Sequence, residues 1–180
     1  MNIDSSILFF IQENLKCNFL DSIMPIISAI GNDGIFFILL GLFLVLFKKY
    51  RPCGVTILTA LLFSFIICNV ILKPTIARIR PFDIYPDVTM LIPKLSDFSF
   101  PSGHSSISFA FATSVFMYYK KTGIAACVLA CLIAFSRLYL FVHYPTDVLA
   151  GIILGIFCGV TANWLIKQLI KKFAKDPKEN

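Results

Sequence analysis

Apolar runs of about membrane-spanning length recur along most of this chain, and they restrict its fold more than any other feature. A bilayer core of about 30 Å requires about 20 helical residues, and the segments that approach this length are 34–48, 53–72, 102–119, 124–141 and 147–166. Hydrophobic residues make up 58% of the sequence and charged residues only 14%, unlike a soluble domain. Because helices satisfy their own backbone hydrogen bonds in lipid, we predict an all-α, polytopic transmembrane helix bundle.

The region before these segments leaves the number of crossings open. The stretch from Leu20 to Ile30 is apolar, but the sequence Gly31-Asn32-Asp33-Gly34 separates it from the next run. A broken helix or an incomplete hairpin would accommodate this break. We predict five crossings, with six as the alternative.

The chain is predicted to form a single domain with three parts. Residues 1–18 carry apolar side chains at helical spacing, which favours a short helix lying in the membrane interface; a frayed terminus is the alternative. Residues 20–166 form the membrane bundle, and residues 167–180 form a basic cytoplasmic tail. The sequence leaves the oligomeric state open.

Charge is distributed unevenly between the two ends of the predicted helices. Basic residues gather where the first, third and fifth crossings end: Lys48, Lys49, Arg51, Lys120, Lys121, Lys167, Lys171, Lys172, Lys175 and Lys178. By the positive-inside rule this end faces the cytoplasm. The net charge of +6 therefore reflects topology, and no nucleic-acid partner is expected.

The six cysteines lie in or beside apolar runs without paired metal-type spacing, so we interpret them as packing residues.

Three polar clusters interrupt the apolar runs. The first contains Lys73, Arg80 and Pro81, the second is Pro101-Ser102-Gly103-His104, and the third contains Ser136, Arg137, His143 and Asp147. The second and fourth crossings end at these clusters, and the third and fifth crossings begin at them. Parity therefore brings all three clusters to the end opposite the basic residues, which we predict to be the extracytoplasmic face of the plasma membrane.

The residue types in the clusters are suited to binding a phosphoryl group. Lys73, Arg80 and Arg137 supply three cations for its oxygens. Ser102 and Gly103 add a hydroxyl and an unhindered backbone N–H at a helix N-terminus, although Ser102 also fits a purely structural cap. Because the clusters offer cations and no group of carboxylates for Mg²⁺, we predict chemistry without a metal or other cofactor.

Two histidines and one carboxylate complete a candidate catalytic set. His143 and Asp147 are four residues apart at the start of a predicted helix, so the carboxylate can fix one imidazole tautomer. This is the arrangement of an activated nucleophile with its orienting group, and His104 is then the general acid for the departing oxygen. Pro145 suits a first helical turn, which is a structural alternative for part of this spacing. The loop from Phe82 to Phe100 is either a lid over a lipid or a connector.

At these residues the sequence resembles the type 2 phosphatidic acid phosphatase superfamily, which includes bacterial lipid phosphatases and vanadium-dependent haloperoxidases. The pattern K-x6-R-P, P-S-G-H and S-R-x5-H-x3-D is matched by Lys73, Arg80, Pro81, Pro101, Ser102, Gly103, His104, Ser136, Arg137, His143 and Asp147. The resemblance implies a metal-independent phosphohydrolase in which His143 attacks phosphorus, Asp147 orients it and His104 protonates the leaving group. It also implies that Lys73, Arg80, Ser102, Gly103 and Arg137 hold the phosphoryl oxygens.

The expected activity is therefore hydrolysis of a membrane lipid phosphate or pyrophosphate through a phosphohistidine. The chain resembles the short bacterial members of the family that recycle undecaprenyl pyrophosphate, and this resemblance favours that lipid as the substrate. Phosphatidylglycerol phosphate and phosphatidic acid are the alternatives. A lipid phosphotransferase and a catalytically silent lipid-phosphate binder are the other hypotheses.

Overall fold

A computed structural model describes residues 3–175 of the chain, and every regular element within this range is helical. The predicted all-α class is thereby confirmed. The helices are α1 (Ile3–Asn14), α2 (Asn18–Ile30), α3 (Ile35–Leu46), α4 (Arg51–Phe65), α5 (Lys73–Ile76), α6 (Pro81–Ile84), α7 (Gly103–Tyr118), α8 (Lys120–Tyr139) and α9 (Pro145–Lys175). A 3₁₀ turn (Asn32–Gly34) precedes α3, and a π-helical segment (Ile66–Leu72) joins α4 to α5.

Four helical stretches within the described residues are long and apolar enough to cross a membrane: Asn18–Leu46, Arg51–Ile84, Lys120–Tyr139 and Pro145–Lys172. The last two correspond closely to the predicted runs 124–141 and 147–166, although α9 extends beyond residue 166. The first stretch begins well before the predicted run 34–48, the second ends well after residue 72, and the predicted run 102–119 is not among the four. Helix α7 has 16 residues and is enclosed by the other helices. The multi-pass membrane fold agrees with the sequence, while the exact number of crossings stays a prediction.

The break before α3 changes the direction of the chain. Asp33 and Gly34 adopt left-handed backbone angles, with φ of 51° and 67°, so α2 and α3 do not form one continuous helix. The backbone N–H of Cys17, just before α2, donates to the hydroxyl of Tyr139 (3.3 Å), and Ser28 near the end of α2 contacts Arg137. Both ends of α2 therefore meet the C-terminal part of α8, an arrangement that favours five crossings.

Helix α1 packs along the same end of the bundle. It buries Leu8 and Ile11 against the apolar residues around Phe141, while Ile3 and Phe10 remain exposed (80% and 60%). This pattern agrees with an amphipathic helix, and its position in the membrane interface stays a prediction.

Close packing of α7 against α9 aligns two of the polar clusters. Gly151, Gly155 and Gly159 recur every four residues along α9 and face α7, as small residues do where membrane helices approach closely. A Cβ atom at Gly155 would collide with the carbonyl oxygen of Ser106. At the top of this contact the N–H of Ser102 donates to the carbonyl oxygen of Asp147 (3.0 Å), which joins the start of α7 to the start of α9.

The opposite end of the bundle carries the basic residues. Tyr50, before α4, contacts Tyr119, before α8, with ring centroids 5.8 Å apart. Nζ of Lys167 on α9 lies 5.9 Å from the ring of Tyr118. The basic cluster and the polar clusters are therefore at opposite ends, as parity predicts. Lys178 and the last part of the predicted tail, 176–180, lie outside the described residues.

Candidate active site

The three polar clusters meet in one cavity at the end of the bundle where α5 and α8 end and α7 and α9 begin. The cavity has a volume of about 480 Å³. Among its lining residues are Lys73, Arg80, Gly103, His104, Arg137 and His143, together with the apolar side chains of Leu95, Phe98 and Ile107. Ser102 and Asp147 lie directly behind this wall, both fully buried. The structure thus brings all eight predicted site residues together.

A local change of helix type delivers the first cluster to the cavity. The π-helical segment Ile66–Leu72 ends directly before Lys73, and such segments occur frequently at functional sites. Ala77 then ends α5 in a left-handed conformation (φ 47°). Arg80 is extended, as expected for a residue before proline, and this bend turns its side chain back into the cavity.

Asp97 links the first two cations. Lys73 donates to Oδ2 of Asp97, and Nη2 of Arg80 donates to Oδ1 (2.6 Å). Burial alone would raise the pKa of Asp97, but the hydrogen bonds and charges of Lys73 and Arg80 outweigh it and lower the pKa to about 2. Asp97 is therefore an anion at neutral pH, and it occupies donors that a phosphoryl group would use.

Arg137 presents unpaired donors. Its side chain is almost fully buried (1% exposed), and Nη1 donates to the hydroxyl of Ser28. Nε and Nη2 have no hydrogen-bond partner among the described residues, although the residue lines the cavity. Leaving a buried charged donor unpaired is costly, so these two N–H groups are suited to an incoming oxyanion.

The contacts of His143 define its tautomer. Nε2 lies 3.3 Å from Nη1 of Arg80, and a guanidinium can only donate, so Nε2 is an acceptor and Nδ1 carries the proton. Burial lowers the pKa of His143 well below 6.5, and the positive charges of Arg80, Arg137 and Lys73 lower it further. The imidazole is therefore neutral at pH 7 and keeps an unprotonated electron pair on Nε2, which faces Arg80 at the cavity wall.

Asp147 orients this ring partly through a serine. Its Oδ2 lies 3.6 Å from Nδ1 of His143, slightly too far for a hydrogen bond. The hydroxyl of Ser99 donates to the same oxygen (2.5 Å) and lies 3.5 Å from Nδ1. The backbone N–H of Tyr144 also donates to Oδ2 (2.9 Å). The predicted pairing of Asp147 with His143 is thus present, and Ser99 bridges the two side chains.

The start of α7 supplies the second histidine and a cap. Nε2 of His104 lies 3.0 Å from Oδ1 of Asn32, which holds the ring beside the cavity. Ser102 is the N-cap of α7, and its hydroxyl accepts from the hydroxyl of Ser105 (2.9 Å) and from its backbone N–H (3.4 Å). These contacts favour the cap for Ser102, and its role as a phosphoryl ligand stays a prediction.

Several residues at the site were not assigned a role from the sequence: Arg78, Asp97, Ser99, Ser28 and Asn32. Asp97 and Ser99 belong to the loop before Pro101, where no periodic pattern predicts the direction of a side chain. Ser28 and Asn32 come from the N-terminal region whose path the sequence left open. Arg78 is a cation two positions before Arg80 in the sequence. This proximity was the one feature of the sequence that could have indicated a role at the site.

The sequence matches the family model of the PAP2 superfamily over residues 53–171, a range that contains every predicted site residue. The chain belongs to the PAP2 superfamily. It is 32% identical to the undecaprenyl-diphosphatase of Sulfolobus acidocaldarius over 137 residues, which cover 76% of this chain and 66% of the relative. The chain thus spans about two thirds of the length of that relative.

Two solved structures share the fold. LpxE of Aquifex aeolicus superposes with a TM-score of 0.78 at 27% identity, covering 90% of this chain and 95% of LpxE. A PAP2-type phosphatidylglycerolphosphate phosphatase of Bacillus subtilis superposes with a TM-score of 0.71 at 27% identity, covering 98% and 90%. The predicted membership of a family of membrane lipid phosphatases is confirmed.

Proposed function

We propose that this chain is a lipid phosphatase that removes a phosphoryl group through a phosphohistidine at His143. The observation that carries the proposal is the orientation of one ring. Nε2 of His143 carries an unprotonated electron pair, which faces Nη1 of Arg80 at the wall of a cavity that Lys73, Arg80 and Arg137 line. A neutral, fixed imidazole beside three cations has the properties required of a nucleophile that attacks a phosphoryl group.

The reaction follows in two steps. Nε2 of His143 bonds to phosphorus while the bond from phosphorus to the leaving oxygen breaks, and His104 gives that oxygen a proton. The cations stabilise the negative charge on the phosphoryl oxygens, and Asp147 stabilises the positive charge that develops on the ring of His143. A water molecule then attacks the phosphorus of the phosphohistidine and His104 takes a proton from the water. The bond between phosphorus and Nε2 of His143 breaks, which releases inorganic phosphate and restores His143.

For the substrate we propose undecaprenyl pyrophosphate. A cavity of about 480 Å³ is several times larger than one phosphoryl group and accommodates a diphosphate. Its apolar lining by Leu95, Phe98 and Ile107 suits a head group whose hydrocarbon chain stays in the bilayer. The relative from Sulfolobus acidocaldarius carries the name of this activity, while the Bacillus subtilis structure is named for phosphatidylglycerolphosphate, so the two substrates must be compared directly.

The first experiment measures inorganic phosphate released by the purified protein from undecaprenyl pyrophosphate, phosphatidylglycerol phosphate and phosphatidic acid in detergent micelles. We expect release that persists in EDTA and that His143→Ala abolishes, since the covalent path needs the nucleophile. His104→Ala should recover activity in part on substrates with acidic leaving groups, which need no protonation. Full activity of His143→Ala would refute the assigned nucleophile. Transfer of phosphate to another acceptor without release of inorganic phosphate would indicate a phosphotransferase.

The second experiment concerns the substrate alone. We expect the highest kcat/KM for undecaprenyl pyrophosphate. A kcat/KM at least about tenfold higher for phosphatidylglycerol phosphate, a difference of about 1.4 kcal/mol in transition-state stabilisation, would overturn the substrate and leave the phosphatase proposal intact.

A further inference from the structure

Arg78 lies two residues before Arg80 but does not line the cavity. Its guanidinium is instead behind the site, where Nη1 donates to Oδ1 of Asp147 (2.5 Å) and to the hydroxyl of Thr146 (2.7 Å). Nη2 donates to Oδ2 of Asp4 on α1 (2.7 Å). The guanidinium carbon also lies 4.0 Å from the centroid of the Tyr144 ring, within the range of a cation–π contact.

Asp147 depends on this arginine for its charge balance. The carboxylate is fully buried (0% exposed), where an unpaired negative charge is costly. Its Oδ2 accepts hydrogen bonds from the Ser99 hydroxyl and the Tyr144 N–H, and it lies 3.6 Å from Nδ1 of His143. His143 is neutral, so Arg78 is the one full positive charge paired with Asp147 in the part of the chain that the structure describes. Because Arg78 holds Oδ1, the other oxygen stays turned toward His143.

Asp4 fixes the other side of the guanidinium. It accepts from the backbone N–H of Thr146 (3.1 Å) and from its hydroxyl (2.6 Å), in addition to Arg78. Thr146 lies in the first turn of α9, whose N–H groups lack helical partners. A carboxylate from α1 therefore caps the helix that carries Asp147. Helix α1 lies outside residues 53–171 that match the family model.

We infer that Arg78 is a positioning residue of the reaction, which holds Oδ1 of Asp147 so that Oδ2 faces His143, and that Asp4 holds Arg78 in place. This inference rests on the proposed function, since it concerns the nucleophile assigned there. It assigns Arg78 no contact with the substrate. Substitutions of Arg78 therefore act on kcat and leave KM nearly unchanged, because the cations that bind the phosphoryl group remain.

Charge and geometry can be separated with two substitutions. Arg78→Gln removes both the charge that is paired with Asp147 and the fork that holds Asp147, Thr146 and Asp4 together. Arg78→Lys keeps the charge but loses the fork. It should therefore lower kcat, but less than Arg78→Gln does. A purely structural role would lower the melting temperature and leave the kcat of the folded protein unchanged.

The experiment measures kcat and KM on the lipid phosphate that the wild type hydrolyses fastest, together with the melting temperature of each variant. For Arg78→Gln we expect kcat to fall about 100-fold, the effect of a displaced catalytic group, with KM within about twofold. Asp4→Asn should lower kcat less than Arg78→Gln does, with KM unchanged. Arg51→Gln is the matched control, because Arg51 lies at the opposite end and donates to the carbonyl of Val45 (3.0 Å).

The outcomes distinguish this inference from the proposal on which it rests. If the wild type and Arg51→Gln release phosphate and both Arg78 variants match them in kcat, the positioning role is wrong and the phosphatase proposal stands. If Arg78→Gln does not fold, Arg78→Lys decides alone, and a wild-type kcat in that variant overturns the inference. If Asp4→Asn has the wild-type kcat, Asp4 is not needed to hold Arg78 in place. Failure of the wild type to release phosphate from any lipid overturns both proposals.

Discussion

At the scale of single residues, the cavity holds an anion of its own. Asp97 pairs with Lys73 and Arg80, two of the three cations assigned to the phosphoryl oxygens. An incoming oxyanion must therefore compete with this carboxylate or share the two cations with it. Either way the negative charge of Asp97 weakens the binding of phosphate, the product, as well as that of the substrate.

Asp97→Asn should therefore bind oxyanions more tightly. The substitution keeps the size of the side chain and removes its charge, so we expect the inhibition constant of orthovanadate, a mimic of the phosphoryl transition state, to fall about tenfold, equivalent to about 1.4 kcal/mol. Inhibition of phosphate release measures this constant. Asp87→Asn is the control, because Asp87 is an exposed carboxylate of the same loop. An unchanged or larger inhibition constant in Asp97→Asn would contradict competition.

The pH dependence of the wild type follows from His143. Burial and then the nearby cations lower the pKa of this ring well below 6.5, and the nucleophile must be neutral to attack. Because the lowered pKa keeps the ring neutral as the pH falls, kcat/KM should still be near its maximum at pH 6.5 and decline only at lower pH. An acid limb centred above pH 6.5 would be incompatible with this environment.

Individual residues differ in how far the sequence could predict them. His143, Asp147 and the cations were predictable because each follows or precedes an apolar run, and parity alone brings them to one end. Ser99 and Asp97 were not, since their positions depend on how the loop before Pro101 folds back over the cavity. Ser99 bridges Asp147 and His143 because Oδ2 and Nδ1 lie slightly too far apart for a direct hydrogen bond. Residue spacing does not determine distances to within a few tenths of an ångström.

At the scale of elements, the contact between α7 and α9 determines the site geometry. His104 lies in the first turn of α7 and Asp147 in the first turn of α9. Any separation of these helices therefore moves the proposed general acid, His104, away from Asp147 and the proposed nucleophile that it orients. The runs at 102–119 and 147–166 were predicted from hydropathy, whereas the π-helical segment before Lys73 has no periodic signature in a uniformly apolar run. Helix existence was thus predictable and local helix type was not.

A larger side chain at Gly155 tests this contact. Because a Cβ atom there already meets the Ser106 carbonyl, Gly155→Leu must push the helices apart, and overpacking of this kind costs about 1–3 kcal/mol. We expect a melting temperature lower by about 5 °C in detergent and a large loss of phosphate release. Val160→Leu enlarges an exposed side chain of the same helix (44% exposed) and should change neither quantity. Wild-type stability and activity in Gly155→Leu would show that the helices tolerate separation.

At the scale of the whole molecule, the bundle has two chemically different ends. One end holds the cavity, where Lys73 and Arg80 pair with Asp97, and behind it Arg78 pairs with Asp4 and Asp147. The other end holds exposed basic residues around the connections from α3 to α4 and from α7 to α8. The positive-inside rule counts the Lys and Arg residues in short loops and near the ends of membrane spans, whereas the cations of the cavity are explained by the chemistry proposed for the site. By this rule we predict that the cavity lies at the extracytoplasmic face.

Cysteine labelling in intact cells tests this orientation. Cys17 and Cys131 are exposed, so a cysteine-free background is needed. Ser96 lies exposed in the loop beside the cavity, and Thr122 lies exposed in the first turn of α8 at the basic end. Ser96→Cys should react with a membrane-impermeant maleimide in intact cells, and Thr122→Cys should react only after permeabilisation. Because both side chains are exposed, a difference in labelling between them reports the side of the membrane and not burial. The reverse pattern would place the cavity in the cytoplasm, and a lipid phosphate of the inner leaflet would then have to be the substrate.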